Sequence, residues 1–311
     1  MPANAPHQSA IVLFGDGKDW HGRSLLRAFK KRGIKPLVAP LATCGLSTET
    51  ATGLAIPGLG DHLPEAAFVR FIPGGSFEQV TLHLGVLHAL RELGVTVWND
   101  ALAIERCVDK STTTFCLKRE GLPTPATFTC IHRAEAEEIV ATQIGKGPRL
   151  VQKPLFGAQG KGLRLIASPA DLAPPEEVNG VYYLQEFVPP FEGRYQDWRL
   201  FVCAGDVVAS MIRHGPHWIT NIKQGARAKA AIASQELIDL AVRAAACVGA
   251  DYAGVDIIQA EDGSFQVLEV NSMPAWNGLQ RVSRLRISDH VVDAFLDAAL
   301  PSARRKDLEG A

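Results

Sequence analysis

The sequence predicts a protein of mixed α/β and α+β class, with an N-terminal doubly wound parallel-sheet domain followed by two α+β subdomains. Three observations lead there. Short apolar runs alternate with helix-length amphipathic stretches over residues 11–98. A lysine-ended strand enters a glycine-rich loop and then a second apolar run over 151–166. Residues 252–271 read as a hairpin whose polar positions fall on one face. The expected boundaries are 1–100, 101–185 and 186–311.

In the first part, Ile11–Phe14 reads as a buried strand with Gly15-Asp16-Gly17 at its carboxyl end, and His21–Arg32 as a helix closed by Gly33. Leu37–Ala39 and Ala67–Ile72 are the next strands, Phe77–Leu93 is a helix closed by Gly94, and Val95–Trp98 is the fourth strand. Ligands of such sheets bind beyond the carboxyl ends of the strands. That makes Asp16, His21, Arg23, Arg70, Gly74, Gly75 and Ser76 an edge of interest, although turn chemistry accounts equally for the glycines, Asp16 and Ser76.

Helices are then expected around Asp109–Glu120 and Ala134–Ile144, on either side of Leu122-Pro123-Thr124-Pro125. A strand ending at Lys153, the glycine loop, the run Leu163–Ile166 and a strand Val181–Val188 stopped by Pro189-Pro190 follow. From 197 onward the pattern is strand, strand, loop, helix (Gln235–Val248), hairpin and a helix near Asp289–Ala298. Met1–Ala10 lacks the pattern of a secretory signal and reads as a disordered lead-in, and the charged tail after Pro301 as frayed.

The loop after Lys153 carries glycines at 157, 160 and 162 and a second lysine, Lys161. Glycines let backbone N–H groups approach an anion closely, and the lysines supply charge. Its spacing is neither that of a dinucleotide fingerprint nor that of a Walker A loop, and a strand rather than a helix follows. Alone, it is equally an ordinary hairpin turn.

In the later hairpin, Asp262-Gly263 suits a two-residue loop with positive φ at both positions. Pairing outward sets Asp256 opposite Glu269 and Asn271 opposite Gly254 on one face, with Val255, Ile257, Leu268 and Val270 turned to a core. Like charges directly opposite destabilise a sheet unless compensated. An all-oxygen set of two carboxylates and an amide suits a magnesium ion bridging phosphates, whereas a solvated face is the plain alternative.

Composition sets limits on partners. Thirty-two lysines and arginines against 33 acidic residues leave a net charge of −1, so no general nucleic-acid or acidic-membrane affinity is expected. No apolar run reaches bilayer length, and six cysteines without a C-x-x-C pair point to reduced buried thiols and a cytoplasmic protein.

The lysine-ended strand, glycine loop, hinge strand near 185 and final Asp…Glu-x-Asn hairpin together resemble the ATP-grasp superfamily, and more narrowly its RimK-type carboxylate-amine ligases such as α-L-glutamate ligases. The resemblance runs from about Ile11 to Leu300 and is strongest from Lys110 to Asn271. It implies an ATP-grasp fold in which two subdomains clasp ATP. It implies phosphate contacts from Lys110 and Lys153, a lid including Gly157, Gln159 and Gly160, and adenine and ribose contacts from Gln185, Glu186, Phe187 and Val188, partly through main-chain groups.

Asp197 and Arg199 resemble the family's D-x-R pair, Arg213, Thr220 and Asn221 its R…[ST]-N segment, and Asp256, Glu269 and Asn271 its magnesium ligands. Arg213, Arg199 and Lys153 are the implied catalytic set, with Arg213 stabilising an oxyanion, and the implied cofactors are ATP and two Mg2+, with Mn2+ as a substitute. The implied reaction is ADP-forming amide synthesis through an acyl phosphate. It would join an amino acid, first of all L-glutamate, to a small carboxylate such as a pterin-type coenzyme precursor, in a homodimer or homotetramer. Gln224, beside Lys223, stands where the prototype has arginine, which leaves acceptor recognition open. A hydroxyl kinase and a non-turning-over nucleotide-binding regulator are the rival readings. Trp198 and Trp218 read as packing residues, and His21, His214 and His217 receive no role.

Overall fold

A computed structural model describes residues 11–145, 149–157 and 159–300, so the expectations for the lead-in, the tail and Ala158 of the loop lie outside the described residues. Two compact units emerge, one built from Met1–Ile104, Ala275–Asn277 and Leu285–Ala311, the other from Glu105–Pro274 and Gly278–Arg284.

The first unit is the expected parallel sheet, with strand order Leu37–Ala39, Ile11–Phe14, Ala66–Val69, Thr96–Trp98. All residues of the two central strands are buried, as the uninterrupted apolar runs require. Helix Trp20–Lys31 buries Leu25, Ala28 and Phe29, and Asp19 caps it by accepting from Gly22 N at 2.6 Å. Ser76 and Gln79 close a capping box on helix Phe77–Glu92. The helix Ile287–Ala299 completes this core: the Phe295 ring meets Phe29, Phe68 and Trp98 edge-on. The third strand stops at Val69 rather than Ile72 because its partner ends at Phe14, on whose carbonyl both Arg70 N and Phe71 N converge.

The second unit contains two antiparallel sheets. One has the order Thr127–Cys130, Tyr182–Glu186, Leu150–Lys153, Arg164–Ile166; helix Arg133–Ile144 covers it through Ala136 and Val140. The other has the order Arg227–Ala230, Asp206–His214, Gln196–Cys203, Tyr252–Gln259, Phe265–Asn271. Helices Lys110–Arg119 and Gln235–Val248 pack on this sheet through Leu117, Leu240, Ala241 and Ala244 against Val255, Val267 and Val270. The latter helix starts at the Ser234 cap and ends on Gly249, whose φ of 78° is a conformation glycine adopts at least cost.

Several elements have no sequence expectation: helices Ala101–Val108 and Asn277–Val282, the short pair Gly45–Leu46 and Leu54–Ala55, and edge strand Arg227–Ala230. That edge strand, Arg-Ala-Lys-Ala, is half charged and lacks β-branched residues, so neither periodicity nor propensity marks it.

The hairpin loop differs from expectation. Gln259 pairs with Phe265, and Ala260 N donates to Ser264 O, so the loop holds three residues, Glu261, Asp262 and Gly263, of which Gly263 alone has positive φ, 88°. A bulge between Asp256 and Ile257 then restores the predicted pairs, Asp256 with Glu269 and Gly254 with Asn271. As a result Val267, not Leu268, fills the core beside Ile257.

The six cysteines are free thiols, five of them buried. Among the described residues no helix is long and apolar enough to cross a membrane.

Candidate functional site

The second unit holds a cleft lined by Lys110, Lys153, Gly157, Gln159 and Gly160, by Gln185–Val188, and by Asp197, Arg213, Thr220, Asn221, Asp256 and Glu269. Residues the sequence predicted from separate segments therefore share one cavity. Arg199 and Asn271 do not line it and lie behind the carboxylates they touch. Missing from the sequence reading were Val151, Leu163, Ile219, Ile258, Leu268 and Trp218, an apolar lining suited to a planar ring. The packing assignment of Trp218 needs correcting: it lines the cleft and meets Phe187 edge-on at 6.2 Å, whereas Trp198 does pack against the core. Leu268 could not be found by alternation, since the bulge moves it from the core face to the cleft.

Lys110 is the first residue of its helix, capped by Asp109, which accepts from Ser111 N and Thr112 N. Its ammonium reaches across to the loop carbonyls, Gly157 O at 2.9 Å and Leu155 O at 3.3 Å. An ammonium has three protons, so these two bonds leave capacity for a further acceptor. Gly160, at φ +71°, lies against the 219–221 segment. A Cβ there would sit 2.6 Å from Asn221 Oδ1 and 2.7 Å from Ile219 Cγ2. Gly160→Ala should therefore displace the loop and weaken nucleotide binding about tenfold or more, with little change in melting temperature. Equal nucleotide affinity in the two proteins, measured by titration calorimetry, would count against a lid role.

The hinge makes fewer main-chain contacts available than expected. Glu186 N already donates to Ala126 O at 2.8 Å and Phe187 N to Arg149 O at 2.7 Å, so neither donor is open to an adenine.

The sheet face beneath the cleft is a buried charge cluster. Register places Asp197 opposite Arg213, Arg199 opposite Asp256, and Asp256 opposite Glu269. The D-x-R residues consequently do not pair with each other. Positions two apart on a strand are further from one another than from their cross-strand neighbours. Arg213 grips Asp197 with both arms of its guanidinium, Nε donating to Oδ1 at 2.8 Å, and also reaches Asp256 Oδ2 at 2.9 Å. Arg199 Nη2 donates to the same Oδ2 at 2.8 Å, and its Nε lies close to Oδ1. Burial opposes the charge on Arg213, but Asp256 and Asp197 outweigh it and raise its pKa. The Nε and Nη2 edge of Arg213 is thus taken up by the two aspartates, which leaves Nη1 as the arm for the predicted oxyanion contact from the cleft wall.

The residues present fit a hard divalent cation. Asp256 and Glu269 face each other, and Asn271 donates to Glu269 Oε1 at 3.1 Å on the same face. Buried Asp256 Oδ1 has no well-aligned hydrogen-bond donor. Burial pushes the Asp256 pKa up, with Arg199 and Arg213 opposing and Glu269 adding to the rise. Burial acts likewise on Glu269 but is outweighed by Lys110 and Arg199, which hold it low. Two facing carboxylates with divergent proton affinities are what a dication would equalise, by favouring the charged form of both. Among the described residues no group of three His, Cys, Asp or Glu side chains forms a closed metal cage, so substrate oxygens would complete the coordination shell.

Burial is also the largest influence on Lys153 and lowers its pKa to about 8; Glu269 opposes the fall, Lys110 adds to it, and Asp256 opposes it. Phosphate oxygens would favour the ammonium, so nucleotide binding should take up a proton above pH 8. Affinity should be full below that pH and decline as the pH rises through it, by at most about tenfold per unit. Calorimetry at pH 9 in two buffers of different ionisation enthalpy measures the uptake directly; none would contradict the assignment.

With this geometry in view, the comparisons with known proteins agree. The RimK-like ATP-grasp domain profile matches residues 107–295. Tetrahydromethanopterin:alpha-L-glutamate ligase of Methanococcus maripaludis is 35% identical over 295 residues, covering 92% of this chain and 98% of that protein. A probable alpha-L-glutamate ligase of an Enterobacter strain is 28% identical, covering 93% of this chain and 96% of that protein. The ATP-grasp ligase PsnB, solved with a minimal precursor, Mg and ADP, superposes with a TM-score of 0.72 at 23% identity, over 96% of this chain and 99% of that one. At that identity the last likeness bears on the fold alone, while the domain match and the Methanococcus relative carry the conclusion that this chain belongs to the RimK-like ATP-grasp family.

Proposed function

We propose that this protein is an ADP-forming carboxylate-amine ligase that joins L-glutamate to a small carboxylate acceptor of pterin-type coenzyme biosynthesis. The observation that carries the reading is the single cleft uniting two lysines, a glycine loop and an opposed carboxylate pair. The names of its relatives support the glutamate and pterin parts.

A carboxylate does not condense with an amine in neutral water, because its leaving group is poor. An acceptor carboxylate oxygen attacks the γ-phosphorus of ATP, the β–γ bridge bond breaks, and ADP leaves. The amine nitrogen of glutamate then attacks the acyl carbon and loses a proton as phosphate departs. Lys110 and Lys153 position the phosphates, and the lid around Gly160 keeps water from the acyl phosphate. The apolar lining from Ile258 to Trp218 takes the adenine, with Glu186 toward the ribose. Asp256, Glu269 and Asn271 would hold two Mg2+, or Mn2+ in their place, which when bound neutralise charge on the phosphates. Residues 101–185 supply the lysines and the loop, and 186–311 the metal hairpin. The free cysteines favour a cytoplasmic setting, and a homodimer or homotetramer is the expected assembly, measurable by light scattering.

Phosphate release assayed across an amino-acid panel, with a reduced pterin carboxylate as acceptor, tests the reaction. Hydroxylamine should divert it to a hydroxamate, which a hydroxyl kinase cannot form. Absence of both amino-acid-dependent ADP release and hydroxamate would reject the ligase reading.

A further inference from the structure

Gln185, expected at the hinge as a nucleotide contact, borders the cleft but is 1% exposed, and its side-chain amide is engaged by protein groups at both ends. Lys153 Nζ donates to Gln185 Oε1 at 2.5 Å. Gln185 Nε2 donates to Thr127 Oγ1 at 3.1 Å and to Tyr183 OH at 3.2 Å. Tyr183 OH lies 2.8 Å from Thr114 Oγ1, which donates to Lys110 O at 2.9 Å. Thr127 Oγ1 donates to Pro125 O at 2.8 Å.

These bonds admit one direction only. An ammonium has no acceptor, so Lys153 fixes the amide oxygen of Gln185 toward itself. The amide nitrogen must then donate to both hydroxyls, and each hydroxyl must donate onward. Thr114 has its proton on the Lys110 carbonyl and therefore accepts from Tyr183. Every polar atom along the path is satisfied, and the path ends on backbone carbonyls that cannot rotate. A network completed in this way is rigid.

We infer that Gln185, Tyr183 and Thr114 form a positioning chain that sets the Lys153 ammonium against the nucleotide phosphates and ties it to the helix start that carries Lys110. The inference rests on the proposed reading of Lys153 as a phosphate contact. Glutamine is the residue the chain requires. A glutamate at 185 would cancel the Lys153 charge and lose both donations to the hydroxyls, and a methionine of similar volume would hold nothing.

The test compares Mg·ADP with adenosine, because a phosphate-gripping lysine affects only the first. Lys153→Met should weaken Mg·ADP binding and leave adenosine binding unchanged. Gln185→Met should weaken Mg·ADP about tenfold or more, again without changing adenosine. Gln185→Glu should do the same, since its carboxylate cancels the Lys153 charge and cannot donate to Thr127 and Tyr183. Tyr183→Phe, which removes one oxygen and is the variant safest for folding, should lose about threefold or more, and adding Thr114→Val should cost less than the two single effects combined. If Lys153→Met binds Mg·ADP as the wild type does, the phosphate reading of Lys153 falls. If Lys153→Met is weakened but Gln185→Met and Tyr183→Phe are not, the phosphate reading stands and the positioning chain is overturned. Equal losses for adenosine and Mg·ADP in the Gln185 variants would also overturn it, returning Gln185 to a hinge or folding role.

Discussion

Replacing Arg213 with methionine should lower the free energy of unfolding by about 3–5 kcal/mol. Arg213 is 4% exposed and its guanidinium is shared by two aspartates that are themselves 2% exposed. Without it, Asp197 has lost its bidentate partner and Asp256 keeps only Arg199. A buried charge with no partner costs far more than an intact pair contributes, so the deletion is severe even though the pair itself adds little net stability. Asp197→Leu in the same chain should recover a large part of the loss, because it removes the stranded charge. Urea unfolding of the single and double variants measures both. A loss below about 1 kcal/mol, the range of exposed ion pairs, would show that water reaches the cluster.

Glu269→Gln should have its largest effect on turnover: kcat should fall at least about a hundredfold, since charge neutralisation at a metal site contributes several kcal/mol to a phosphoryl-transfer transition state. The same substitution removes the like charge facing Asp256 across the ladder. It also removes the partner of Lys110 and Arg199, whose attraction outweighs burial and holds the Glu269 pKa low, so nucleotide-free protein should melt below the wild type at neutral pH, and activity and stability should fall together. Hydroxamate formation and differential scanning calorimetry on the one variant give both values. Turnover within tenfold of wild type would remove Glu269 from the metal set.

The parts of the site that were legible in the sequence are those fixed by short-range rules. Strand alternation placed Asp256, Glu269 and Asn271 on one face, and a strand-to-loop transition marked Lys153 and the glycines after it. The N-terminal sheet was legible for a similar reason: strands buried on both sides are uninterrupted apolar runs. What stayed hidden depends on which strands become neighbours. Asp197 and Arg199 look like partners along the chain, but each finds its partner across the sheet, and only the order of strands shows it. Nothing local reveals that the Gln185 side chain, at the edge of the cleft, is also bonded to Lys153. Leu268 and Trp218 were assigned to packing because apolar residues of a cleft and of a core have the same composition.

The hairpin between Tyr252 and Asn271 behaves like a text with two compensating frameshifts. Its three-residue loop puts the pairs nearest the tip one step out of phase, and the bulge beside Ile257 returns the remainder to phase before the carboxylates are reached. The tip and the carboxylate end are thereby insulated from each other. Edits to Glu261, Asp262 or Gly263 can be absorbed between the loop and the bulge. An insertion or deletion between Val267 and Asn271 has no such buffer, and it would turn one carboxylate away from the other.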